Sequence, residues 1–232
     1  PRTSSAASDV YKRQPICWTT AAYYKEKIAA VIGLSVPFTK RGKVSSTRLW
    51  QNLYKDIFFY QNYFQYENIP EKELEKNISE TLLKVYYWCS EEGFKDKIKS
   101  NIKLSSGLLD GIPLPDKNRL KWLNSKFIKK LIKDFEKSGF RGSLNRYRAQ
   151  NLDWEELIEL DNLNVSQPSI FIGGEHDPVR SFIKDYDAFK NAGKYCTNFM
   201  GAFIIENAGH WVQQEKPKEV NKVIGDFLKK LA

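Results

Sequence analysis

The chain has 232 residues, of which 41% are apolar and 28% charged, and its formal net charge is +9. That length and balance fit a globular protein of one or two domains with a sizeable core, and exclude low-complexity or fibrous chains. The charge comes mostly from lysines spread through amphipathic stretches such as SKFIKKLIKDFEK and DFLKKL. With no zinc-finger spacing, RNP-like motif or glycine-rich phosphate loop beside it, this charge reads as solvated helix faces rather than a nucleic-acid surface.

Residues 1–14 are rich in Ser, Ala and Arg and carry no initiator methionine. They lack the apolar core of a signal peptide and read as a leader outside the fold, from an incomplete reading frame or a disordered tag-like extension. From Pro15 the pattern becomes regular. ICWTTAAYYKEKIAA suits a helix, and AAVIGLSVP then reads as a buried strand closed by Pro37. Residues 38–163 are lysine- and aromatic-rich with helical period. Pro70 suits a helix start, and Leu74, Ile78, Leu82 and Val85 recur at three- and four-residue spacing, as do Leu123, Phe127, Leu131 and Phe135. SSGLLDGIPLPDKN is a loop between helices. PSIFIGG returns to strand character, followed by a helix around 180–192, a strand at 202–206 and a last helix. In that helix Pro217 fits the first turn, and Val220, Val223, Ile224, Phe227 and Leu231 share a face. The order predicts an α/β core in two pieces, 15–37 and 164–232, with a helical lid, 38–163, inserted between its strands.

Each of the last two strands stops in a loop bearing a titratable residue: FIGGEHDPV ends with Asp177, and FIIENAGHW carries His210. The carboxyl edge of a parallel sheet is where open α/β folds place their chemistry. An Asp can fix one imidazole nitrogen and stabilise the imidazolium while the other nitrogen handles a proton. A buried His–Asp pair of purely structural use has the same spacing, and both readings stay open. The chain's other histidine, His176, reads as a loop residue. Cys17, Cys89 and Cys196 are odd in number, form no CxxC and have no metal-ligand spacing with histidine, which points to free thiols in a reducing cytoplasm. No apolar run reaches the ~20 residues a membrane span needs.

Two aromatic clusters in the inserted segment, FFYQNYFQY with Tyr60 and SGFRGSLNRYR with Tyr147, offer phenols that can donate to an oxygen gaining negative charge. In this order FFYQNYFQ, SGFRGSLNRYR, GGEHD and AGHW resemble the epoxide hydrolases of the α/β-hydrolase fold, and GLSVPF and PLPDKNRLKWLN fit the same pattern. The resemblance covers roughly residues 15–232. It implies a truncated α/β-hydrolase sheet with a large helical cap, and a reaction in which an elbow carboxylate opens the epoxide and a His–Asp pair activates water against the resulting ester. It assigns Tyr60 and Tyr147 to the epoxide oxygen, His210 to the base, Asp177 to its orienting acid, and Phe38 and Gln61 to substrate binding.

The chain departs from the pattern at the elbow. Tyr11 falls at the nucleophile position and Arg13 where a small residue belongs, so the resemblance implies a chain that does not complete the covalent step. Its partners would be a small apolar epoxide and water, with no cofactor and no metal. A haloalkane or haloacid dehalogenase of the same fold is the alternative enzyme, although the paired phenols suit an epoxide better than a halide. A noncatalytic apolar-ligand binder is the alternative outside enzymes. An apolar sheet edge is expected where further strands would pair.

Overall fold

The computed structural model describes residues 14–98, 103, 106–116 and 118–231. The expected leader lies outside these residues except for Gln14, and so does Tyr11. The chain divides into two compact units, Pro1–Lys40 with Asn162–Ala232, and Arg41–Asp161. In chain order the sheet unit opens with α1 (Gln14–Tyr23) and β1 (Val31–Leu34). The helical unit follows with α2 (Ser46–Leu53), α3 (Tyr60–Tyr63), α4 (Ile69–Glu75), α5 (Ile78–Trp88), α6 (Glu91–Lys95), α7 (Ser125–Ser138), α8 (Arg141–Arg148) and α9 (Gln150–Glu156). The sheet unit resumes with β2 (Ser169–Gly174), β3 (Phe199–Ile205), α10 (Val212–Glu215) and α11 (Pro217–Lys229).

Among the described residues the sheet has three parallel strands in the order β1–β2–β3. Central β2, SIFIGG, is buried at every position, as a parallel strand covered on both faces must be. Its side chains alternate between two apolar layers. Ile170 and Ile172 pack with Ala208, Val212, Val220 and Phe227, joined by Ile32, Leu34, Val223 and Ile224. Phe171 packs with Phe189 and Ala192 on the other face. The apolar stripe of α11 therefore buries as its spacing indicates, except that Leu231 lies past the helix end and is exposed. Trp18 of α1 lies against Gly33, where any Cβ would strike the indole ring, and its Nε1 donates to Val36 O at 3.0 Å.

Two expected helices are shorter than the pattern suggests. α1 stops at Tyr23, followed by a 3-10 turn at Lys25–Lys27. The Gln167 amide donates to Ala21 O (2.9 Å) and Lys25 O (3.4 Å), supplying partners for the carbonyls a helix end leaves open. Over 180–192 the chain forms only a 3-10 turn, Pro178–Ser181, and further turns. Side chains take the backbone groups a helix would use. Asp187 accepts from Phe189 N and Lys190 N, Arg180 clasps Asp187 and Glu175 O, and Asp185 takes a left-handed φ of 61°.

The helical unit has its own core: Phe58, Phe64, Leu74, Leu82, Leu108, Phe140 and Leu144. The apolar rhythm from Leu74 to Val85 spans two helices, because the Asn77 side chain accepts from Glu80 N and starts α5 afresh. Asn124 caps α7 in the same way. That helix packs through Ile128, Leu131, Ile132 and Phe135, with Phe127 partly exposed against the edge of Tyr86 and its lysines exposed. Among the described residues no helix is long and apolar enough to cross a membrane.

Candidate active site

β2 ends at Gly174, and the chain turns through Glu175 and His176 to Asp177. β3 ends at Ile205 and turns through Asn207, with a left-handed φ of 51°, to His210. His176 N donates to Ala208 O at 2.9 Å, tying the two turns together. They approach so closely that a Cβ at Gly174 would run into the carbonyl oxygens of Gly209 and Ala208. Parallel pairing of β2 with β3 thus sets both turns on one edge of the sheet, as the strand-end pattern predicts.

The Asp177 carboxylate faces the His210 ring with both oxygens, at 2.9 and 2.8 Å from Nδ1. Asp177 is 3% exposed and His210 9%. Val179 N donates to Asp177 Oδ1 at 2.9 Å, which holds the carboxylate by its own backbone. With an acceptor on Nδ1, the neutral ring carries its proton there, and Nε2 is the nitrogen with a lone pair for base chemistry.

Two further residues hold the histidine turn. Ser35, fully buried with a left-handed φ of 61°, donates from Oγ to His210 O at 2.8 Å. Glu215 accepts from Gly209 N and Trp211 N, each at 3.0 Å, and so clamps the backbone on both sides of His210. No local pattern in the sequence marks either, because Ser35 lies 175 residues from its partner and Glu215 acts on main-chain groups that leave no trace in a motif. His176 contributes its backbone to the turn, as a loop residue. Phe38 is buried at 3% against the rings of Trp18 and Tyr195.

The helical unit brings the other expected residues together. Tyr60 opens α3 and Tyr147 lies in the last turn of α8, with ring centroids 5.8 Å apart in an edge-to-face arrangement. Phe59, Phe64 and Trp88 surround Tyr60 at 5.0–6.2 Å. Gln61 donates from Nε2 to Tyr60 Oη at 2.9 Å. Gln65 donates to both Gln61 O (2.9 Å) and Tyr147 O (3.3 Å), linking the two tyrosine segments.

Next to Tyr147, Arg148 fixes α8 to the turn after α3. Its guanidinium donates to Phe64 O at 3.0 Å, to Tyr66 O at 2.6 Å and to the Glu71 carboxylate at 2.6 Å. The hydrogen bond from Arg148 holds the Glu71 carboxyl below the usual range, against the opposing effect of burial. No motif marks this pair in the sequence, although the Arg stands beside an assigned tyrosine.

A parallel sheet with an acid after one strand, a histidine after the next and a helical segment inserted between strands is the α/β-hydrolase fold with a cap-type insertion. Within that fold the chain is a homologue of the epoxide hydrolases. Epoxide hydrolase A of Mycobacterium tuberculosis is 31% identical over 215 residues, covering 92% of this chain and 65% of the relative. Bifunctional epoxide hydrolase 2 of Mus musculus is 32% identical over 212 residues, 91% of this chain and 36% of the relative. Among solved structures, an epoxide hydrolase from an endophytic Streptomyces matches with a TM-score of 0.84 at 30% identity, over 94% of this chain and 66% of that one. Epoxide Hydrolase A from Mycobacterium thermoresistibile matches with a TM-score of 0.81 at 30% identity, over 91% and 65%. This chain therefore spans just under two thirds of the length of the Mycobacterium tuberculosis relative. No family model matches it.

Proposed function

We propose that the chain carries the water-activating and oxygen-holding parts of an epoxide hydrolase. The observation that carries this reading is the two-oxygen grip of Asp177 on His210 Nδ1, buried and itself held by Val179 N. His210 Nε2 takes a proton from water, and the hydroxide attacks the carbonyl carbon of a carboxylate ester. The imidazolium that forms is stabilised by Asp177. In the preceding step a carboxylate attacks one epoxide carbon, the C–O bond breaks, and Tyr60 or Tyr147 donates to the oxygen that gains charge. The sum is epoxide plus water giving a diol, with no metal or cofactor in the balance. The aromatic surroundings of Tyr60 suit a small apolar epoxide. The three free cysteines suit a reducing cytoplasm.

The nucleophilic carboxylate is a separate matter. The sequence has Tyr11 and Arg13 ahead of α1 where the elbow pattern needs a carboxylate and a small residue. The 232-residue polypeptide alone is accordingly proposed to bind an aryl epoxide without converting it. The test is isothermal titration of the purified chain with the epoxide, followed by chromatography for diol. Binding that weakens in both Tyr60→Phe and Tyr147→Phe, with the epoxide recovered intact, is the expected result. Diol formation lost in His210→Ala would overturn the claim that the chain alone is inactive. Binding indifferent to both tyrosine variants would overturn the oxygen-holding role.

A further inference from the structure

We propose that Ser46, Gln150 and Gln61 form a hydrogen-bond chain that sets the direction in which Tyr60 donates its proton. The proposal rests on the reading that Tyr60 receives the epoxide oxygen, and goes beyond it by identifying what prepares that phenol. Ser46 Oγ donates to Gln150 Oε1 at 2.7 Å, Gln150 Nε2 donates to Gln61 Oε1 at 3.0 Å, and Gln61 Nε2 donates to Tyr60 Oη at 2.9 Å.

The direction follows from the inventory of an amide, which accepts at one end and donates at the other. With the oxygen of Gln150 accepting from Ser46, it is the NH2 end of Gln150 that faces Gln61. Gln61 must then present its own oxygen to Gln150 and its NH2 to the phenol. A phenol oxygen that accepts from Gln61 has its single proton turned away from Gln61. Tyr60 is thereby set as a donor to an incoming acceptor. If the whole chain ran the other way, the same atoms would stay paired, but the Tyr60 proton would be spent on Gln61 Oε1.

The chain is built into the scaffold. Ser46 is the first residue of α2 and Gln150 the first of α9. The neighbouring residues are bonded as well, Thr47 to Asn151, so the two helix starts are fastened side by side. Gln61 is held at its carbonyl by Gln65, which also holds Tyr147 O. Ser46 and Gln150 are positioning residues, since they reach Tyr60 only through Gln61.

Gln150→Glu reverses the chain without touching the phenol. A carboxylate has nothing to donate, so Gln61 must turn its NH2 toward it and take the Tyr60 proton on its own oxygen. Gln150→Lys, which only donates, keeps the original direction. The readout is a ratio of two dissociation constants for the full chain, measured with 2-phenyltetrahydrofuran and with phenylcyclopentane. These probes have the same shape, and only the first carries an acceptor oxygen.

The ether should bind wild type about tenfold more tightly than the hydrocarbon, the ratio for one net hydrogen bond. Gln150→Glu should bring the ratio down to that of Tyr60→Phe, with hydrocarbon binding unchanged. Gln150→Lys should retain the preference, and Ser46→Ala should lower it partway. A folded Gln150→Glu variant that keeps the ether preference overturns the proposal. Equal losses in the Glu and Lys variants do so too, because they would mark a merely structural contact. A wild-type chain with no ether preference, or a preference undiminished in Tyr60→Phe, overturns instead the role of Tyr60 on which the proposal stands.

Discussion

Removing Arg148 tests what holds the two tyrosine segments together. Arg148 and Glu71 have side-chain exposures of 13% and 10%, so the pair is largely out of water. In Arg148→Met the Glu71 carboxylate keeps its burial and loses its cation, and the carbonyls of Phe64 and Tyr66 lose a donor. Breaking a buried pair from one side costs about 3–5 kcal/mol. Glu67 and Lys72 beside it are exposed, which puts the site near the unit's surface and the cost near about 3 kcal/mol. Glu71→Gln keeps an acceptor and loses only the charge assistance, a cost of about 1–2 kcal/mol. The pH dependence follows in sign. The folded-state pKa of Glu71 is lowered, so its contribution is fully present above the unfolded value of about 4.3 and is lost as pH falls through the folded value. The penalty of Glu71→Gln should therefore be constant near neutrality and fade below about pH 4. Native-state hydrogen exchange at the amides of Leu74 and Leu144 reads this unit without averaging in the other. An Arg148→Met cost below about 0.5 kcal/mol, the level of an ordinary surface change, would refute the reasoning. So would a Glu71→Gln cost that is the same at neutral and strongly acidic pH.

Asp177→Asn keeps the size of the side chain but offers His210 an NH2. The imidazole proton should move from Nδ1 to Nε2, visible in the 15N shifts of the ring, and unchanged shifts would contradict the tautomer assignment. In a chain that turns over substrate, the same change should lower the rate of water attack by about 10⁴, the size of the effect in a serine protease triad. Ser35→Ala should destabilise the sheet unit by about 1–3 kcal/mol, since it leaves His210 O without its donor. Ser35→Gly loses the same bond but relieves the left-handed backbone by about 1 kcal/mol, so it should be the milder change in a urea melt; the reverse order would show that strain is absent. Gly174→Ala forces a methyl against two carbonyls of the histidine turn and should cost several kcal/mol, the range of severe overpacking. A neutral result in the same melt would mean the turns separate freely.

What the sequence made legible depended on how local each cause was. β2 is a run of apolar residues in a strand's length, and its burial follows from that run alone. The α11 stripe is equally local. The 180–192 segment misled because its helical composition is overridden by Asp187 and Arg180, whose hydrogen bonds are stronger than propensity. At the site, the Asp177–His210 pair could be read because strand ends announce it. Ser35, Glu215 and Gln150 could not, because each acts through a main-chain group or an amide at a distance that no spacing rule covers.

The two halves of the proposed chemistry solve one problem by different means. A histidine and a tyrosine can each take part in a hydrogen bond in more than one direction, and only one direction is useful. At His210 a charge decides: the carboxylate of Asp177 can only accept, so the Nδ1 proton has no alternative. At Tyr60 the decision is passed along neutral groups, from a serine hydroxyl through two amides. No group in that chain titrates between mild acid and the phenol itself, so the orientation of Tyr60 should not vary with pH across the neutral range. An ether-over-hydrocarbon binding ratio that stays flat from pH 6 to 8 is the expected signature of that division. A ratio that changes across that range would mean the phenol takes its orientation from a titrating group and not from Gln61.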